Sequence, residues 1–506
     1  MYINNYPIFA TAIFIFILFE FFLVFLNSNQ QTSSKNEKIN YYLPEYNYSE
    51  KYYLEYLTPE ILEGEVRLRY SLKLGKAIPT FWKSQHLRNL DCKKVLRGDQ
   101  AYINEARQTR HKYDFVSDSF PVTCNDIQMR GFYPNESMSK EEAEYPLAFA
   151  INVFHDYLKI EQYFLLMYAP QNQFCYAIDK KSSPDFKKKV RNLAKCFKNV
   201  YVVEKEYPMD HTGVNGNLYN YECMKLLNGK NYKYLFLLQN DDVPLKTNRE
   251  LVQIMKLYNG SVDMDFGNSF TNHPINIAKN VSLKYKDLNI FRKEDKRLKD
   301  PEVMNSTLMV QKGFLEAALP KKAVDYVVNV LNISTLIKNL NSGLPYTDEI
   351  FWPTIMTSPE LQVPGWQHYK CSKNKKFSYF YYTRKSIYTS YKKCLSKNVR
   401  HGVCLFGVEV LHDLKSWPQF FGNKFYSEFD AGASICWSEY MYEKKFFEFD
   451  KKNISYFPQP QDGGGGGGAG QQQPPPPPPP PKPPKKRLSA VARTTAKTAI
   501  EISFIF

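Results

Sequence analysis

The sequence predicts an α/β fold built on an open, mainly parallel sheet covered by helices. Two observations predict it. Short apolar strand candidates alternate four times with helix-spaced apolar stripes between Pro146 and Tyr258, and turn or capping residues separate the segments. In such a sheet ligands bind beyond the carboxyl ends of the strands, and the polar run Gln239, Asn240, Asp241, Asp242 lies at one such end.

PLAFAINVF, starting at Pro146, is the first buried-strand candidate. Ile160, Tyr163, Phe164 and Met167 then recur at the spacing of one helix face. QFCYAI, residues 173–178, is the second strand. Ser183 followed by Pro184 supplies an N-cap and a proline at the first helical position, ahead of the stripe Phe186, Val190, Leu193, Phe197. The strand NVYVV follows, a helical segment runs to Leu227, and KYLFLL (233–238) is the fourth strand. Thr247 with Glu250 forms a capping-box pattern that opens a helix with the stripe Leu251, Ile254, Met255, Tyr258. A further helix is predicted over Pro59–Tyr70, inside an otherwise polar, Tyr-rich stem.

The 506 residues are 43% hydrophobic, 23% charged and 16% aromatic, which excludes a wholly disordered or collagen-like chain. A net charge of +16 suggests an anionic partner without choosing among nucleic acid, membrane and nucleotide phosphate. Location narrows the choice. Ile8 to Leu26 is mostly apolar, interrupted by the single acid Glu20, and is about the length of a bilayer-spanning helix. Asn27, Ser28, Asn29 and Gln30 follow with no small-residue cleavage pattern, so an uncleaved signal anchor is favoured over a removed signal peptide. Glycosylation sequons at Asn47, Asn135, Asn259, Asn280, Asn305, Asn332 and Asn453 all come after that segment. The 9 cysteines are widely spaced, without a CxxC metal pattern, and suit disulfides in an oxidising lumen. A lumenal domain with no nucleic-acid partner follows. The division is a short cytoplasmic N-terminus (1–7), a transmembrane signal anchor (8–26), a stem (27–85), a lumenal domain (86–458) and a tail (459–506). That tail, with Gly463 to Gly468, Pro474 to Pro481 and the basic Lys485, Lys486, Arg487, cannot form a core and reads as disordered.

Three groups could carry chemistry. Asn240, Asp241 and Asp242 are close to the Asp-x-Asp arrangement that holds a divalent cation against a diphosphate, or are a polar turn ending a strand. Asp348 and Glu349 in GLPYTDEIFWPTI precede apolar residues whose burial would raise a carboxylate's pKa and improve it as a general base; equally, Thr347 or Asp348 caps a helix. Arg400 in NVRHGVCLFG and Lys424 in FGNKF lie beside apolar segments, where a phosphate would supply a partner, although most such cations are simply solvated.

Four ordered segments resemble the core-2/I-branching beta-1,6-N-acetylglucosaminyltransferase family (glycosyltransferase family fourteen). PLAFAINVFHDYLKIEQYFLLMYAPQNQFCYAIDKK resembles its opening. KYLFLLQNDDVPLKTN resembles its strand and PIKTN turn, LPYTDEIFWPTI its SPDEHLWATL segment, and VRHGVCLFG with NKF its C-terminal phosphate site. The resemblance covers about residues 90 to 445 and implies a glycosyltransferase-A-like, Rossmann-type mixed sheet flanked by helices, in a single-pass type II Golgi membrane protein. It implies Glu349 as catalytic base, Arg400 and Lys424 as ligands of the UDP diphosphate, and Asp179 and Asn152 at the nucleotide, although the family commonly carries Val at the Asn152 position. No metal cofactor is implied, which returns Asn240, Asp241 and Asp242 to a structural turn.

The implied reaction is inverting transfer of N-acetylglucosamine from UDP-GlcNAc to a hydroxyl of a glycan or glycoprotein acceptor, giving a beta-1,6 branch of the O-glycan core-2 or I type. The family also implies the pairs Cys92–Cys436, Cys124–Cys196, Cys175–Cys223 and Cys394–Cys404. Cys371 is left over, either idle or linking two chains in a homodimer. A peptide O-xylosyltransferase using UDP-xylose, and an inactive lumenal carbohydrate-binding relative, are the competing readings. Trp352, Trp366 and Tyr369 are candidates for stacking on sugars, or core residues.

Overall fold

The computed structural model describes residues 68–112, 121–210, 212–266, 277–278, 280–341, 344, 346–365, 381–388 and 394–448. The anchor at 8–26, the tail at 459–506, Asn47, Asn453, Cys371, Trp366 and Tyr369 lie outside them. No described helix is long and apolar enough to cross a membrane.

Strands β1 (Leu68–Ser71) and β2 (Lys76–Pro79) form an antiparallel hairpin, so the helix predicted over Pro59–Tyr70 is corrected at its described end. Leu68 pairs with Pro79 and Tyr70 with Ala77 across a four-residue turn, and this local pairing overrides the helical pattern. The hairpin also moves the domain boundary. Residues 68–85, which the sequence assigns to the stem, pack with the domain: Ile78 and Phe81 enter the core, and the Tyr442 hydroxyl donates to the Pro79 carbonyl at 2.8 Å.

The central sheet contains β3 (Leu147–Val153), β4 (Gln173–Ile178), β5 (Val200–Val202), β6 (Tyr234–Gln239), β8 (Asp263–Met264) and β9 (Ala317–Pro320), in the order β5-β4-β3-β6-β9-β8. The first four are mutually parallel, while β9 runs antiparallel to both β6 and β8. The chain therefore has the mixed sheet flanked by helices that its sequence predicts.

Strand alternation explains the two-sided burial. Leu147, Phe149, Ile151 and Val153 face the cluster shared with helices 157–167 and 427–446, whereas Ala148 and Ala150 face Leu235, Leu237 and Trp352. Phe149 stacks between Phe174 and Phe236, with ring centroids 5.1 and 5.4 Å away. The predicted caps form: Ser183 accepts the Phe186 N–H at the start of Pro184–Cys196, and Thr247 with Glu250 makes both capping-box bonds ahead of Asn248–Tyr258.

A second, three-stranded sheet carries C-terminal residues to the end of β6. Within it, β13 (Phe421–Asn423) lies between β7 (Val243–Pro244) and β10 (Arg384–Ser386), antiparallel to the first and parallel to the second. Nearby, β11 (Val399–Arg400) and β12 (Val403–Cys404) form a tight hairpin whose turn residues, His401 and Gly402, both have positive φ.

Disulfides join Cys92 to Cys436, Cys124 to Cys196, Cys175 to Cys223 and Cys394 to Cys404. Asn135, Asn259, Asn280 and Asn305 are exposed, and Asn332 is half-buried. Cys175 and Cys223 tie β4 to helix Gly216–Leu226. Replacing both with Ala is expected to cost about 2 to 4 kcal/mol in urea unfolding. An unchanged midpoint would show that packing alone holds this helix.

Candidate functional site

The parallel strands end together. Asn152 of β3 sits opposite Ala177 and Gln239 in the sheet register, so Asp179 and Asn240–Asp242 emerge on one edge. The buried Asp179 accepts the Lys181 N–H at 3.1 Å and the Met209 N–H at 3.0 Å, drawing the 205–209 loop over the end of β4. Asn152 donates to the Gly216 carbonyl at 3.3 Å, and its buried Oδ1 has no hydrogen-bond partner among the described residues.

The acidic run is tied into the fold. Asn240 Oδ1 accepts the N–H groups of Phe154 (2.9 Å) and His155 (3.3 Å). Asp241 pairs with the buried ammonium of Lys159 at 2.6 Å. Burial would raise the Asp241 pKa, but Lys159 and His155 hold it well below the usual carboxylate range. Asp242 accepts from the Gln239 N–H at 2.7 Å and from Asn423 Nδ2 at 2.9 Å, and lies 3.9 Å from Arg384. Burial raises its pKa against the pull of Arg384. Among the described residues no group of three or more His, Cys, Asp or Glu side chains is arranged to hold a metal ion.

Cations face this edge. Lys424 follows β13 directly, and its pKa is lowered by burial and by Arg400 and Arg384, against the opposing charges of Asp241 and Asp242. Arg400 places its guanidinium 4.2 Å from the Tyr426 ring centroid, and Tyr426 in turn lies 5.4 Å from the ring of His155. Arg384 hydrogen-bonds Glu316, whose carboxyl burial pushes up to about 8 despite that neighbour.

Glu349 opens helix Asp348–Thr357, and a proline sets its surroundings. Pro353 has no N–H to donate back to the Glu349 carbonyl, which the Gly313 N–H satisfies instead at 2.8 Å. Gly313 is needed there, because a Cβ would fall 1.8 Å from the Asp265 carbonyl oxygen. Lys312 Nζ then lies 3.2 Å from Glu349 Oε2. Asp348 and Asp265 are each pushed up to about 7, first by burial and then by the Glu349 charge. Thr347 occupies the N-cap position without a side-chain capping bond, and the Asp348 carboxyl instead accepts backbone N–H groups at the helix start.

Arg384 joins the two halves. Its charge acts on Asp265 and Asp348 beside Glu349, and also on Asp242 and Lys424 at the sheet edge. Sequence reasoning missed Arg384, Glu316, Lys312, Asp265 and Lys159. The one available signal was a charge inside an apolar run, as with Glu316 in GFLEAALP. Trp352 is fully buried and belongs to the core, so it does not stack on a sugar. A cavity of about 680 Å³ lies elsewhere, lined by Arg69, Lys83, Arg97 and Lys415, and none of these site residues borders it.

A family model described as Branch: Core-2/I-Branching enzyme matches residues 147–415. A human beta-1,3-galactosyl-O-glycosyl-glycoprotein beta-1,6-N-acetylglucosaminyltransferase is 26% identical over 428 residues, covering 79% of this chain and 96% of its own. A human N-acetyllactosaminide beta-1,6-N-acetylglucosaminyl-transferase is 28% identical over 312 residues, covering 60% of this chain and 74% of its own. The solved structure of S. aureus TarS 1-349 superposes with a TM-score of 0.20 at 11% identity, covering 40% of this chain and 56% of that one, too little to inform the fold.

The buried acids give folding a pH dependence. Glu316 rises from 4.5 to about 8, so between those values the folded protein keeps a proton that the unfolded chain has released. Stability from this group therefore falls as pH rises through that window. Glu316→Gln is expected to flatten the decline in unfolding free energy between about pH 5 and 8; a decline as steep as that of the wild type would contradict the assignment.

Proposed function

The chain belongs to the core-2/I-branching enzyme family and is a glycosyltransferase, and from that premise we propose that it transfers N-acetylglucosamine from UDP-GlcNAc to a sugar hydroxyl with inversion. The observation that carries the reading is the arrangement at the sheet edge: a carboxylate, Glu349, on one side and the cations Lys424 and Arg400 on the other, bridged electrostatically through Arg384. Both named human relatives are beta-1,6-N-acetylglucosaminyltransferases, which supports a beta-1,6 branch on a galactose-containing glycan or glycoprotein as the product.

In this mechanism Glu349 accepts the proton of the acceptor hydroxyl. The acceptor oxygen forms a bond to the anomeric carbon from the face opposite UDP, and the bond from that carbon to the β-phosphate oxygen breaks. The electron pair leaves with UDP, whose growing negative charge is met by Arg400 and Lys424. The lowered proton affinity of Lys424 reflects a cation crowded by burial and by like charges, and a diphosphate would relieve that crowding. Asp179 and Asn152 lie at the strand ends that would face the nucleoside.

No metal is required in this reading. Lys159 and His155 lie at Oδ1 of Asp241, and Asn423 and the Gln239 N–H donate to the two oxygens of Asp242, so three of the four carboxylate oxygens of this pair already have protein partners. The proposed setting is a glycosyltransferase-A-like domain held on the lumenal side of the Golgi membrane by residues 8–26, where the four disulfides are chemically at home.

Glu349→Gln is expected to lower kcat about 10²- to 10⁴-fold while leaving UDP affinity near that of the wild type. Normal transfer by this variant would remove Glu349 as the base. Arg400→Ala and Lys424→Ala are each expected to weaken UDP binding, measured by calorimetry, and to lower kcat as well. Unchanged values for both variants would contradict the diphosphate assignment. The same assays run with UDP-xylose and a serine peptide separate this reading from a xylosyltransferase.

A further inference from the structure

Lys312 is 1% exposed, and its ammonium lies 3.2 Å from Glu349 Oε2. A lysine is rarely buried to that degree without a carboxylate partner. Two contacts fix the pair. The neighbouring Gly313 N–H holds the Glu349 carbonyl at 2.8 Å, the bond that Pro353 makes available. The ammonium also lies 4.9 Å from the centroid of the Tyr346 ring.

The groups around Glu349 come from four segments. Asp348 precedes it on the same helix, Asp265 follows β8, Tyr388 follows β10, and Lys312 precedes β9; Arg384 acts on Asp265, Asp348 and Tyr388 from β10. Three carboxyls so close together do not all ionise near neutrality. Burial and then the Glu349 charge push Asp265 and Asp348 each up to about 7. The contact with Lys312 favours the charged form of Glu349.

We infer that Lys312 is a positioning residue that holds Glu349 in its ionised form, so that the base stays available on the acid side of neutrality. The inference rests on the reading of Glu349 as the base. The same attraction weakens Glu349 as a proton acceptor, so Lys312 exchanges base strength for the fraction of enzyme carrying a charged base.

The test is the pH dependence of kcat for transfer from UDP-GlcNAc to a β-1,3-galactosylated glycoside, with the full chain, across about pH 5 to 9. Lys312→Met is expected to move the acid limb upward by about 1 to 3 pH units with UDP affinity unchanged, and Lys312→Arg to restore the wild-type limb. An unmoved limb in Lys312→Met overturns the inference. So does an equal loss of kcat at every pH in both variants, because that marks a merely structural role. Should Lys312→Met fail to fold, Lys312→Gln carries the same comparison. Glu349→Gln is run in parallel: activity in that variant refutes the base itself, whereas an inactive Glu349→Gln beside an unshifted Lys312→Met refutes only the role of Lys312.

Discussion

Asp242 is the point on which the site is assembled. It ends the turn after β6 and receives the Gln239 N–H, which closes that turn, and the Asn423 side-chain amide, which docks the C-terminal strand β13. Arg384, on the strand beside β13, completes the cluster at 3.9 Å. A buried carboxylate with these partners is strongly committed to one geometry, since losing any of them leaves a polar group unsatisfied. Lys424 follows Asn423 directly, so its placement depends on the same bond.

Glu349 is positioned by a different device. A helix carbonyl that loses its intrahelical donor to a proline can be steered by whatever else donates to it, and Pro353 leaves one such carbonyl at Glu349, the proposed base. The Gly313 N–H takes it, which sets Lys312 beside the Glu349 carboxylate, while the Asp265 backbone packs against Gly313 itself. Sheet edge and helix start are thus built independently and meet through Arg384. Burial pushes the surrounding acids up to about 7 or 8 against the opposing charge of Arg384.

Much of the fold was legible because it depends on local signals. The strands from Leu147 to Gln239 announced themselves as short apolar runs, and Ser183, Thr247 and Glu250 marked helix starts that the structure reproduces. The hairpin at Leu68–Pro79 was misread because a short pairing can outweigh a helical pattern. Within the candidate site, Glu349, Arg400 and Lys424 are proposed from ordered motifs. Arg384 and Glu316 were not, because their partnership spans 68 positions and neither residue has a pattern of its own. Lys312 escaped for the same reason: its meaning comes from Glu349, which only the tertiary fold brings near.

The central claim is that fixed cations, rather than a bound metal, meet the departing diphosphate. A crystal structure of the UDP complex grown with manganese tests it most directly. The account expects phosphate oxygens in hydrogen-bonding contact with Arg400 and Lys424, and Asp241 still paired with Lys159. Manganese coordinated between the diphosphate and Asp241 or Asp242, with Lys159 displaced, would contradict it.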